Sequence, residues 1–397
     1  MLVAVPLINA VADVTTNYFP AGYLTVGAFR AFLLLLLLIL LSGNIKYGRT
    51  TVFIFIFLFY LVFLIPLSSN SSHTFNELLK VAISLLMFPL GFYLLSDKIL
   101  IKRLNCFLML GAGVIIIQIV ISQIFKLGVS EYLEDSLYLG GGLVQVTYTL
   151  ALFVIMSPII IPLIKNKKEK YLYLIIILLS TIATLIIMRR ISILAIIAGY
   201  VVYLFLSYHK SRVLKYGLFI MLILAVTYPF YGNLFEARLQ ARKEETNPIR
   251  EAGRLIETFL VINEINENSI SQALFGADLF SSHTYFKNKR DYFSILGRGR
   301  QLHVDYNIIL HGAGIIGILL YILIYLNLFI ECIKKKKSNT YLYREMKAVY
   351  WSIFTVTLIM SLSGRISSIG FRSVAFLYMG TILGILNNRE NESSRSL

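Results

Sequence analysis

His303-Val-Asp-Tyr-Asn-Ile-Ile-Leu-His-Gly-Ala-Gly-Ile-Ile-Gly-Ile-Leu-Leu-Tyr-Ile-Leu-Ile-Tyr-Leu-Asn-Leu-Phe-Ile330 marks a change of character in this chain. Before it, residues 232–304 hold ten Lys/Arg against nine Asp/Glu, the one polar stretch large enough to fold outside a bilayer. From 305 to 330 the chain is apolar for longer than the ~20 residues a helix needs to cross a membrane. The junction therefore reads as a polar loop re-entering the membrane.

Outward from that junction the same alternation recurs. The chain has 397 residues, is 57% hydrophobic and 15% charged, and has a mean hydropathy of +0.76. That excludes a soluble domain of this length. About twelve candidate spans follow: 2–18, 22–42, 50–67, 78–96, 104–125, 142–164, 171–188, 191–208, 216–231, 305–330, 346–363 and 372–387. The expected fold is an all-α polytopic membrane protein. Residues 1–231 supply nine spans, 232–304 one large loop, 305–388 three spans, and 389–397 a polar tail. The opening run Met1–Ala12 lacks a basic leader and reads as the start of the first span rather than as a signal peptide.

The net charge of +16 would suggest nucleic acid in a soluble protein. Here the excess sits in every second short loop: Lys46/Arg49, Lys98/Lys102/Arg103, Lys165 to Lys170, Lys210 to Lys215 and Lys334 to Lys337. The positive-inside rule then puts both termini in the cytoplasm and the long loop outside, with the bilayer as partner and no nucleic acid. Cys106 and Cys332 are far apart and suggest neither a disulfide framework nor a metal site. Nothing recurs at a fixed period, which argues against the paired halves of a transporter such as a lipid-linked oligosaccharide flippase.

A few residues stand against this pattern. Arg189 and Arg190 fall between two basic loops, at a junction the rule places outside, where positive charge is disfavoured. Arginine's planar fork suits a phosphate there. Arg254 opens a segment in which Leu255, Phe259, Ile262 and Ile265 recur at helical spacing, so an amphipathic helix is expected with Arg254 in its first turn. His303 stands where the loop meets the membrane, and histidine's ordinary pKa of about 6.5 suits a general base. Asp305 lies two residues on, a spacing that orients His303 only if the helix has not yet begun. His311 is expected as a polar packing residue or a donor behind the site. Asp278, Asp291 and Asp305 are isolated, so a reaction without metal or cofactor is expected, and no Walker loop or HExxH run appears.

Taken in order, Arg189-Arg190-Ile-Ser-Ile-Leu-Ala, Ala252-Gly253-Arg254-Leu255, Leu274-Phe275-Gly276 and His303-Val-Asp-Tyr306 through Gly314-Ile-Ile-Gly317 resemble the O-antigen polymerase and O-antigen ligase superfamily over roughly residues 175–330. The resemblance implies a GT-C-like helical body in a bacterial inner membrane. It also implies a metal-independent glycosyltransferase that draws glycan from an undecaprenyl-diphosphate carrier on the outer face. Arg190 (or Arg189) and Arg254 would hold the diphosphate, and His303 would activate the acceptor hydroxyl. Asp305, Tyr306, Arg298 and Arg300 are further substrate-binding candidates. Val304 departs from the Asn or Ser usual after the histidine. Within the superfamily, a polymerase of repeat units for O-antigen or capsule is favoured over a ligase acting on lipid A-core. A flippase and a chain-length regulator of the same pathway would be partners.

Overall fold

The computed structural model describes residues 1–18, 23–45, 48–125, 143–164, 166–187, 190–207, 253–267, 269–282, 302–335, 341–362, 364 and 366–395, with isolated positions between 211 and 240. Arg189, Arg298, Arg300, His209, His283 and most of the expected span 216–231 lie outside the described residues. Among the described residues there is no strand.

The helices are α1 (Val5–Tyr18), α2 (Tyr23–Leu41), α3 (Arg49–Leu64), α4 (Ser71–Leu94), α5 (Lys98–Ile124), α6 (Leu143–Leu163), α7 (Lys167–Ile186), α8 (Arg190–Leu206), α9 (Gly253–Glu267), α10 (Ile270–Phe275), α11 (Asp305–Lys334), α12 (Tyr341–Ser361) and α13 (Ile369–Arg395). Among the described residues five helical stretches are long and apolar enough to cross a bilayer: Arg49–Leu67, Ser71–Leu94, Ile99–Ser122, Asp305–Lys334 and Ile369–Asn388. Shorter apolar helices at Leu2–Thr15, Phe29–Leu41, Tyr148–Ser157 and Ile191–Leu206 accompany them. Over the described residues the chain is all-α, and these helices fit a membrane protein. Cys106 is exposed and Cys332 buried, and both are free.

The apolar stretch of α13 is buried along its whole length, which makes it the central helix. Its closest partner is α4, and glycine permits that approach. A Cβ on Gly91 would lie 2.3 Å from the Leu377 carbonyl oxygen, and one on Gly380 2.1 Å from that of Phe88. With the hydrophobic effect absent between helices in lipid, such small-residue seams let backbones meet and gain van der Waals contact.

Helices α3 and α11 run antiparallel. At one end the Thr50 amide and hydroxyl donate to Glu331 Oε1 at 3.2 and 2.7 Å, and near the other the Tyr60 hydroxyl donates to the Ala313 carbonyl at 2.7 Å. Helices α8 and α12 are likewise antiparallel. Tyr203 and Ser207 donate to Glu345, and Gly199 faces Val356. That register carries the start of α8, and with it Arg190, toward the Ser361 end of α12.

The helix α11 is interrupted. Gly314 has φ 64° and ψ −165°, a conformation essentially confined to glycine. Opening the helix frees carbonyls, and the Ala277 amide donates to that of His311 at 2.7 Å. Gly276, with φ 88°, ends α10 against the gap. The fit is tight from both sides: a Cβ on Gly314 would lie 2.3 Å from the Leu274 carbonyl oxygen, and one on Gly276 2.3 Å from the Gly312 carbonyl carbon. Two of the segments singled out in the sequence, Leu274-Phe275-Gly276 and Gly314-Ile-Ile-Gly317, thus form one backbone joint.

Candidate functional site

The segment after α10 is fastened to the turn between α3 and α4. Asp278 accepts from the Ser68 hydroxyl at 2.9 Å and from the Ser69 amide and hydroxyl at 3.1 and 2.5 Å, while Thr74 donates to the Leu279 carbonyl at 2.8 Å. Part of the polar loop is therefore built into the end of the bundle where α11 begins.

At that end α9 lies against the start of α11, joined by one carboxylate. Glu257, 1% exposed, accepts at Oε1 from the backbone amides of His303 and Val304 at 3.0 and 3.2 Å and from Asn307 Nδ2 at 3.2 Å. Val304 is the N-cap of α11 and offers no capping side chain, so Glu257 supplies the negative charge a helix N-terminus favours. Its other oxygen lies 4.0 Å from His303 Nδ1. Asn307 also donates to Thr258 at 3.0 Å, and the Thr258 and Tyr306 hydroxyls are 3.4 Å apart. One helical turn before Glu257 stands Arg254, which the structure describes, like Arg190, by backbone position.

The apolar stripe of α9 faces outward. Leu255, Phe259 and Ile262 are 67%, 65% and 44% exposed, while Glu257, Val261 and Glu264 are at or below 1%. Only Ile265 of the apolar set packs toward the core. The periodicity identified the helix but not which stripe turns inward, because the inward one contacts a helix N-terminus and a histidine. Glu264 Oε2 lies 2.8 Å from His311 Nδ1, so His311 is a member of a buried pair rather than a simple packing residue. His311 also lines a small cleft with His73, Glu77, Ser282 and Leu302.

Asp305 does not face His303. Its side chain is fully buried and forms an ion pair with Arg372, and Tyr321 donates to it at 3.2 Å. The carboxylate beside His303 is that of Glu257 instead. Arg372 also donates to Ser361 at 3.4 Å, so α11, α12 and α13 converge on one buried charge pair. Nearby on α13, Ser373 accepts from Asn9 at 2.8 Å, and Gly370 makes room for Asp13, which is ion-paired with Arg30. Sequence reasoning passed over Glu257, Glu264 and Arg372. The two glutamates had a signal, a spacing of seven that places them on one helix face. Arg372 looked like the edge of an apolar run.

Among the described residues no group of three or more His, Cys, Asp or Glu is arranged to hold a metal ion. No protein-family model matches this chain, and no curated protein sequence matches it.

Removing the Glu257 carboxylate tests its bridging role. Glu257→Ala leaves three donors without their acceptor, at about 1–3 kcal/mol for each one that water cannot reach. The expected result is a lower thermal midpoint in detergent and faster proteolysis between α9 and α11, with Glu257→Gln intermediate. A midpoint unchanged in both variants would contradict the bridge.

Proposed function

We propose that this chain is a membrane glycosyltransferase that polymerises undecaprenyl-diphosphate-linked oligosaccharide repeat units for O-antigen or capsular polysaccharide. It does so on a twelve-span, GT-C-like body with both termini in the cytoplasm of a bacterium. The observation that carries this reading is the Glu257 bridge. It ties the helix that bears Arg254 to the backbone of His303, two segments that the superfamily resemblance makes catalytic.

In this reading His303 takes the proton of an acceptor sugar hydroxyl as the hydroxyl oxygen bonds the donor's anomeric carbon. The bond from that carbon to the diphosphate breaks, and its electrons leave with the lipid diphosphate. Arg254 and Arg190 (or Arg189) offset the charge that grows on the leaving group, an effect greatest in the transition state. Glu257 keeps the imidazole oriented and stabilises it once protonated. The outward stripe Leu255, Phe259 and Ile262 suits the headgroup boundary, with α9 lying along the membrane surface and its polar face on the protein.

The test is an assay of the purified protein with a synthetic lipid-diphosphate-linked repeat unit. Chain extension is expected, and His303→Ala should reduce it by about 10²–10⁴. Arg254→Lys should also impair it, because an ammonium lacks the bidentate fork. Equal extension by wild type and His303→Ala would end the assignment, and transfer only to lipid A-core would replace polymerase by ligase.

A further inference from the structure

The end of the bundle opposite His303 contains a cavity of about 230 Å³ between the start of α3, the second half of α4 and the ends of α11 and α13. That is well above the ~15 Å³ one water needs. Its lining combines the aromatic rings of Phe88, Phe92 and Tyr93 with the ammonium groups of Lys334 and Lys335 and the carboxylate of Glu331.

The carboxylate in the wall, Glu331, is already engaged. It accepts from the Thr50 amide and hydroxyl at the N-terminus of α3, whose N-cap, Gly48, supplies no side chain. At the same end Asp97 caps α5, and Glu345 accepts from Tyr203 and Ser207. Lys335 donates to Asn387, also in the lining, at 2.6 Å, while Lys334 is exposed, as are Arg49, Lys102 and Arg103. The lining thus carries two ammonium groups against the one carboxylate of Glu331, and the exposed Arg49, Lys102 and Arg103 add to the positive balance at this end.

Aromatic rings and ammonium groups lining one cavity match an amphiphile with an anionic head. A free anion would leave the aromatic rings unused. Pockets of this composition between membrane helices suit lipid phosphates. We propose that this cavity binds the phosphodiester headgroup of an anionic membrane lipid, independently of the chemistry at His303.

Native mass spectrometry of the purified full-length protein tests this, using phosphatidylglycerol and phosphatidylcholine of matched chains. Wild type is expected to retain phosphatidylglycerol about tenfold better, and the double variant Lys334→Gln/Lys335→Gln to lose most of that preference. Lys102→Gln/Arg103→Gln, at the same end but outside the cavity, should keep it. Equal retention of both lipids by wild type overturns the proposal without recourse to any variant. So does an equal loss in the two double variants, which would mark a general surface charge effect. Displacement of the lipid by millimolar inorganic phosphate would assign the cavity to a free anion instead.

Discussion

Arg372→Met is expected to cost about 3–5 kcal/mol of folding free energy, because it leaves the Asp305 carboxylate buried without its counter-charge. Both partners are almost wholly shielded, and Asp305 is the first residue of α11. Removing the pair together is a different matter. In Asp305→Leu/Arg372→Met no charge remains to desolvate, and apolar replacements of similar size are often neutral or better. Denaturant titration in detergent micelles should therefore show the double variant recovering most of what the single loses. If the double variant is as unstable as Arg372→Met, the two side chains do not act as a pair. Because Asp305 lies two residues from His303, the pair also fixes where α11 begins. Chain extension by the double variant then reports whether that fixing matters for chemistry once stability is restored.

The same pair shows what a sequence can and cannot disclose. Hydrophobic runs are local, and the long ones at 50–67, 78–96, 104–125, 305–330 and 372–387 overlap α3, α4, α5, α11 and α13, with ends up to eight residues apart where polar residues extend the helices. Partnership is not local. Arg372 looked like a boundary residue because nothing near it in sequence is acidic, and its carboxylate comes from 67 residues away. Asp305 could be weighed only against its neighbour His303 for the converse reason. The helix at Arg254 was legible as a helix, but the face it turns inward was not, since the rule that apolar residues turn inward assumes water outside. Against a membrane surface, Leu255, Phe259 and Ile262 have an apolar alternative, and Glu257 and Glu264 can turn inward only because donors await them. Donor amides at the start of a helix leave no mark in composition.

Gly314→Ala is the substitution expected to couple stability most directly to the site. The conformation at φ 64° and ψ −165° costs a non-glycine residue about 1–3 kcal/mol. The added methyl would also meet the Leu274 carbonyl at 2.3 Å and the Gly276 amide nitrogen at 2.6 Å, both backbone atoms that cannot swing away. Overpacking of that kind adds about 1–3 kcal/mol. Relief requires either closing the break in α11, which expels the Ala277 amide from the His311 carbonyl, or lifting α10 off it. Either movement loosens the segment 276–282 that Ser68, Ser69 and Thr74 hold. A fall in thermal midpoint is expected, with a matching loss of the chain extension proposed above. Gly113→Ala is the control, for a Cβ there meets nothing within 4 Å and alanine is the better helix former by about 0.5–1 kcal/mol. Equal behaviour of the two variants would mean that the joint between α10 and α11 constrains neither the fold nor the site, whereas destabilisation confined to Gly314→Ala locates the constraint at the break.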